Sequence, residues 1–401
     1  MILTGPALRE RFQALDDFLV AHQALWRPKP FTCLVLPWEA EHPALAAWLR
    51  ERSLEQAETE HNHPERLPAP APFPELARQA AALSALGELP ECRLGPLPER
   101  LGVDVPGRKW QQIVAFAGRL QFQRVPTHWL DWCSGKGHLG RLLAQGGQRL
   151  TCLEHDERLV AAGRHLSDRL HTDVQHLLQD VLADDAQARL CAEHSPVALH
   201  ACGDLHVRLL ELASASGCPQ LAVAPCCYNR IASTHYRPLS APARQSTLQL
   251  SKDDLGLPLA ETVTAGQRQR RQRDRSMARR LAFDLLQREQ RGTDEYLPTP
   301  SLPVSWLDKD LARYCHNLAE LKGLMLNGDI DWVTLETEGW RRLAQVRNLE
   351  LVRGLFRRPL ELWLLLDRAL FLEERGYQVR LGTFCEHQLT PRNLMLLAER
   401  A

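Results

Sequence analysis

The stretch Asp131-Trp132-Cys133-Ser134-Gly135-Lys136-Gly137-His138-Leu139-Gly140 has the residue types of a ligand cradle. Glycines let a backbone turn tightly and come close to a ligand. The amides opening the next helix can face a carboxylate or a phosphate. Gly135, Gly137 and Gly140 fit G-x-G-x-x-G, a dinucleotide pattern that is weak alone, since a plain glycine turn between strand and helix also produces it. The phosphate-loop reading of Gly135-Lys136 fails, because Leu130 and Gly137 stand where Gly and Ser or Thr are needed.

Three acids add to the loop. Asp131 ends one apolar segment, where a carboxylate can meet an ammonium group. Glu154 ends the next, 23 residues later, and can accept from two ribose hydroxyls. Asp180 follows a third and can accept from an adenine amino group. One such acid would be an ordinary surface charge. Three at successive strand ends point to S-adenosylmethionine.

Two further strand ends carry reactive side chains: His200-Ala201-Cys202-Gly203-Asp204 and Pro225-Cys226-Cys227-Tyr228-Asn229. Cysteines are most often small buried hydrophobes. Here three sit at two strand ends, with His200 and Asp204 beside them. Zinc binding by Cys202, Cys226, Cys227 and His200 is one reading, but the spacing matches no known finger, and no metal ligand set is assigned. Attack by Cys226 or Cys227 on a pyrimidine, with Asp204 nearby, is another. His200 is the first candidate for a general base, and Tyr228 for orienting or stacking on an acceptor base.

These residues need a scaffold that brings strand ends together. Thr127–Trp132, Arg149–Glu154, Val174–Gln179, Pro196–Ala201 and Gln220–Ala224 read as strands separated by helical or loop stretches. That alternation predicts a parallel sheet with helices on both faces and ligands beyond the carboxyl strand ends. Two more strands are expected at Tyr377–Cys385 and Asn393–Ala398. The predicted organisation is a mostly helical accessory region (1–105), a core (106–260), a helical insertion (261–375) and the last two strands of the sheet (376–401). Within the accessory region, Phe31–Leu36 reads as a short strand.

Composition narrows the rest. The chain has 401 residues, 44% hydrophobic and 24% charged, which excludes a disordered or collagen-like chain. Lys plus Arg and Asp plus Glu both number 49, so a globally basic nucleic-acid binder is excluded. The apolar run Leu360–Leu372 is too short for a membrane span and is broken by Glu361, Asp367 and Arg368. Met1–Val20 lacks the pattern of a signal peptide. Eleven cysteines, an odd number, read as reduced thiols in a cytoplasmic protein. Between Gln267 and Arg280 stand Arg268, Arg270, Arg271, Arg273, Arg275, Arg279 and Arg280 against Asp274 alone. Such a run on a neutral chain reads as a solvated helix face or as a local contact for a polyanion such as RNA.

Together, residues 131–138, 200–205 and 225–228 resemble the methyltransferase-like protein 25 group of class I S-adenosylmethionine-dependent methyltransferases. Leu365-Leu366-Asp367-Arg368 and Thr390-Pro391-Arg392-Asn393-Leu394 agree with it. The resemblance covers about 107–260 and 360–401. It implies an α/β class I, Rossmann-like fold with a seven-stranded sheet, and cofactor contacts at Asp131, Gly135, Gly137, Glu154 and Asp180. The intervening loop residues Cys133, Lys136 and His138 are expected at the same site, with Cys133 where most class I enzymes have a glycine. The His-x-Cys-Gly and Cys-Cys motifs also resemble a family that methylates a ribose 2'-hydroxyl of the tRNA acceptor stem. In that family His-His follows the cysteines, where this chain has Tyr228-Asn229. The expectation is therefore a methyltransferase acting on structured RNA. The alternatives are a protein methyltransferase, a non-enzymatic cofactor-binding protein and an NAD oxidoreductase.

Overall fold

The structure is a computed structural model, and it describes residues 1–92, 94–260 and 267–400. The first residues of the expected insertion, 261–266, lie outside the described residues, as does the last residue of the expected final segment. Two compact units emerge. One comprises Met1–Ala21, Leu83–Ala260 and Arg358–Ala401; the other comprises His22–Ala82 and Glu261–Arg357. The expected boundary at 105 thus differs from the observed division, because the accessory region contributes to both units.

The first unit is built on one sheet. Its strands are β1 (Leu3–Thr4), β2 (His128–Trp132), β3 (Arg149–Glu154), β4 (Gln175–Leu178), β5 (His194–Leu199), β6 (Gln220–Ala224), β7 (Tyr377–Thr383) and β8 (Leu394–Arg400). Their order is β1-β7-β8-β6-β5-β2-β3-β4. Strands β2 to β6 pair in parallel, whereas β8 is antiparallel to β6, and β7 to β8. The mixed α/β class is as expected, and the last two strands do return to the sheet. The sheet has eight strands rather than seven. The extra one, β1, pairs Leu3 with Leu381 and Thr4 with Arg380. Two residues are too few to show an alternating pattern.

The central strands are buried on both faces, which is why they read as apolar runs. Leu130, Leu153, Val197, Ala222 and Leu397 are almost fully inaccessible. Strand order reverses at β2, which pairs with β3 on one side and β5 on the other. A crevice opens at such a reversal beyond the carboxyl ends of the strands.

The helix Arg357–Glu373 confirms why the run 360–372 cannot be a membrane span. Two of its charged residues are satisfied within the fold. Asp367 accepts from the Tyr236 hydroxyl and from the amides of Leu239 and Ser240. Arg368 donates to His206 Nε2 at 2.6 Å and to the Tyr236 hydroxyl at 3.0 Å. No helix among the described residues is long and apolar enough to cross a membrane.

The second unit is helical, and its described residues contain no strand. Phe31–Leu36 is a turn, not the expected strand. Pro28, Pro30 and Pro37 bracket it, and a segment of that kind has no ladder to join. The arginine run lies on the helix Gln267–Arg291. Arg268, Arg270, Arg271 and Arg275 are exposed. The remaining three are partly used by the unit itself. Arg273 pairs with Glu58 and Asp274, Arg279 is buried against the carbonyls of Trp306 and Leu307, and Arg280 donates to Pro300.

Candidate active site

A cleft of about 990 Å³ opens at the carboxyl ends of the parallel strands. Its lining includes Cys133, Glu154 and Asp180 from the ends of β2, β3 and β4. Cys202 and Asp204 follow β5, and Asn229 and Arg230 follow β6. Its size suits a small-molecule cofactor with room for part of a second substrate.

The glycine loop is held by Glu154. The Gly135 amide donates to Glu154 Oε2 at 2.8 Å, while Oε1 accepts from the amides of His155 at 2.9 Å and Asp156 at 3.0 Å. An ionised carboxylate has about four acceptor positions, so the side chain arrives aimed and keeps capacity for a ligand hydroxyl. Gly135 has φ +56°, and a Cβ there would meet nothing within 4 Å, so the loop presents bare backbone to open space. Cys133 shares the left-handed conformation, with φ +56°. A non-glycine residue in that region stores of order 1 kcal/mol of strain or more. Its thiol is pushed up to about 12 by burial and by the nearby carboxylates of Glu154 and Asp131, so it is not a nucleophile.

Asp131 lies beneath the loop. It is 3% exposed, and its Oδ2 accepts from the Gly140 amide at 2.9 Å. Burial raises its carboxyl to about 7. Through that bond Asp131 fixes the turn. Gly140 is needed there, since a Cβ would come within 2.6 Å of Leu150. His138 is also turned inward. It lies 3.3 Å from Arg141, and burial with that guanidinium lowers it to about 4. Gly137 and Lys136 belong to the same turn. A Cβ on Gly137 would meet the His176 ring, and the Lys136 carbonyl accepts from Arg141 at 2.6 Å. Asp180 is exposed at the cleft, its Oδ1 held by the Leu182 amide at 2.9 Å.

On the other wall, the loops after β5 and β6 are locked together. The Asp204 amide donates to the Arg230 carbonyl at 3.1 Å, and Asp204 Oδ2 accepts from the Ala232 amide at 2.8 Å. Gly203, at φ +55°, packs so closely that a Cβ would sit 1.8 Å from the Arg230 oxygen. Asp204 thus faces the cleft with a fixed orientation. His200 does not line the cleft. Its Nε2 bonds Gln112 Oε1 at 2.8 Å, and burial, then Lys109, lowers the ring to about 4. The first candidate base is thus a tethered imidazole with weakened basicity, while Asp204 lines the cleft.

Tyr228 corrects another expectation. It is 1% exposed, its ring 5.0 Å from the Arg368 guanidinium and edge-on to His206. Such a ring supports the core and cannot stack on an acceptor. Cys226 and Cys227 are half-buried behind Cys202, with Sγ–Sγ distances of 3.2 Å from Cys202 to Cys226 and 3.6 Å from Cys226 to Cys227. Hydrogen bonds from its two neighbours, with Arg230 and Arg392, hold the Cys227 thiol far below its usual range, while its neighbours push that of Cys226 up. The cleft also contains Asn229, which closes the cysteine-bearing segment, and Arg230 and Lys252, which no motif marks in the sequence.

An open parallel sheet with a glycine turn, and acids after its strands, defines a cofactor-binding α/β enzyme. Residues 108–234 match a family model described as a methyltransferase domain. The matched segment is similar to an enzyme domain, a methyltransferase. Solved structures similar to the chain include a tRNA (uracil-54, C5)-methyltransferase of Pyrococcus abyssi in complex with S-adenosyl-L-homocysteine. It is 16% identical over 29% of this chain and 28% of its own, with a TM-score of 0.23. An S-adenosylmethionine-dependent methyltransferase of Aquifex aeolicus is 15% identical over 32% of this chain and 66% of its own, with a TM-score of 0.22. Coclaurine N-methyltransferase, bound to N-methylheliamine and S-adenosyl-L-homocysteine, is 12% identical over 98% of this chain and 95% of its own, with a TM-score of 0.28. The chain spans less than two thirds of the first two.

Proposed function

We propose that the protein methylates structured RNA, a tRNA or an rRNA, as a member of the methyltransferase-like protein 25 group. The observation that carries this reading is the division of charge within one cleft. Glu154 and Asp180 stand on the wall suited to the ribose and adenine of the cofactor. Arg230 and Lys252 stand with Asp204 on the other wall, where an acceptor bearing phosphates would be met by cations. The four exposed arginines of the helix Gln267–Arg291 add a second basic surface. Because Arg273, Arg279 and Arg280 are engaged by their own unit, that surface is smaller than the sequence suggests.

When bound, S-adenosylmethionine supplies an electrophilic methyl group. The chain's own contribution is positioning and proton removal. Glu154 fixes the glycine loop and accepts from hydroxyls. Asp204, oriented by the Ala232 amide, takes the proton that a hydroxyl or protonated amine must lose. Lys252 is tied by its Nζ to the Ile231 carbonyl at 2.7 Å and holds its charge at the cleft wall.

The test is transfer of labelled methyl from the cofactor into an extract of a strain lacking the protein, followed by RNase or protease. Loss of label on RNase treatment supports the reading. Loss on protease treatment alone would replace it with a protein acceptor.

A further inference from the structure

Three sulfur atoms that belong to no cofactor contact gather at the ends of β5 and β6. Cys202, Cys226 and Cys227 place their Sγ atoms within 4.8 Å of one another. The nearest pairs, 3.2 and 3.6 Å apart, are close to the roughly 3.8 Å that separates sulfurs on a tetrahedral zinc ion with Zn–S near 2.3 Å.

The spacing is built into the backbone. The His200 amide donates to the Ala224 carbonyl at 3.0 Å, and the Asp204 amide to the Arg230 carbonyl at 3.1 Å. These bonds clamp the two loops on either side of the cysteines. His200 and Gly203 adopt left-handed φ values of +65° and +55° to bring Cys202 against Cys226. A rigid frame of this kind holds ligands together before any ion arrives, which lowers the ordering cost of binding.

Cys202 lines the cleft whereas Cys226 and Cys227 do not, and three protein sulfurs leave one position of a tetrahedral ion without a protein ligand. Three protein ligands with one open position is the pattern of reactive rather than purely structural zinc.

We propose that Cys202, Cys226 and Cys227 form a three-thiolate site for a thiophilic divalent cation of the zinc class, with one open position. The site is separate from the cofactor contacts and needs neither cofactor nor acceptor to form. The experiment uses the full chain, reduced and freed of metal, titrated with Co²⁺. One equivalent should give an intense sulfur-to-cobalt charge-transfer band in the near ultraviolet and tetrahedral bands in the visible, both displaced by Zn²⁺. Cys202→Ser, Cys226→Ser and Cys227→Ser should each lower the affinity at least tenfold, while Cys191→Ser, at an exposed position, should not. Alkylation of the parent protein read by mass spectrometry gives a test without variants: Zn²⁺ should slow labelling of these three cysteines and leave Cys191 unchanged. Absence of the band overturns the proposal, as does equal labelling with and without Zn²⁺. Isolation of a Cys202–Cys226 disulfide that reduction does not convert into a Co²⁺-binding form overturns it as well.

Discussion

A Cβ on Gly203 would sit 1.8 Å from the carbonyl oxygen of Arg230, so the loops after β5 and β6 meet backbone to backbone. That contact sets the wall of the cleft. It brings Cys202 to Cys226 and turns Asp204 toward the open space.

Gly203→Ala is therefore expected to be among the most damaging single substitutions in the chain. Its φ of +55° also disfavours any side chain. A loss of about 3 kcal/mol or more is expected, since the clash is with backbone that cannot move aside. Denaturant unfolding measures it. A variant as stable as the parent would mean that the two loops are not locked.

Acid should destabilise the fold well before ordinary carboxylates titrate. Burial holds His138, His176, His194 and His200 at about 4, against 6.5 when exposed, and burial also lowers His206 well below its ordinary value. The unfolded chain takes up these protons below pH 6.5 and the folded chain does not, so stability is full above that pH and lost toward pH 4. Asp131 acts in the opposite sense. Raised to about 7 from 3.8, it keeps a proton that the unfolded chain has released, and acidification over that range favours the folded form. Burial raises Asp284 and Glu373 in the same sense as Asp131; five histidines outweigh these three carboxylates, and each unbalanced proton is worth about 1.4 kcal/mol per pH unit. Calorimetric melting temperatures should fall steadily from pH 7 to pH 5. A flat or rising profile would contradict the buried neutral histidines.

A 5-fluoropyrimidine RNA should form no covalent adduct. Cys226 and Cys227 do not line the cleft, and Cys133, which does, has a thiol raised to about 12. Denaturing electrophoresis reads the result. A stable band lost on Cys227→Ser would show that the low thiol at that position reaches the acceptor.

The sequence carried the sheet well where strands are buried on both faces. Arg149–Glu154 and Gln220–Ala224 begin and end where expected, because each is a short, mostly apolar segment set between helical or loop stretches. It failed where partners are distant. The two-residue β1 has no periodicity of its own and exists through β7, more than 370 residues away. Tyr228 follows the conspicuous cysteine pair, yet its burial is decided by Arg368 on a helix far along the chain. His200 was visible as a candidate base, whereas the Gln112 that tethers it was not. Arg230 and Lys252 reach the cleft from segments without a motif. The acids Glu154 and Asp180 were legible because strand ends in a parallel sheet converge. Asp131 was legible as important, but its depth beneath the loop was not.

The most direct test of the account is calorimetric titration of the full chain with S-adenosyl-L-homocysteine and, separately, with NAD. One equivalent of S-adenosyl-L-homocysteine should bind, NAD should not, and Glu154→Ala should weaken binding tenfold or more. That loss corresponds to one charge-assisted hydrogen bond of about 1.5–3 kcal/mol. Failure of the folded protein to bind S-adenosyl-L-homocysteine, or unchanged affinity in folded Glu154→Ala, would contradict the assignment of this cleft.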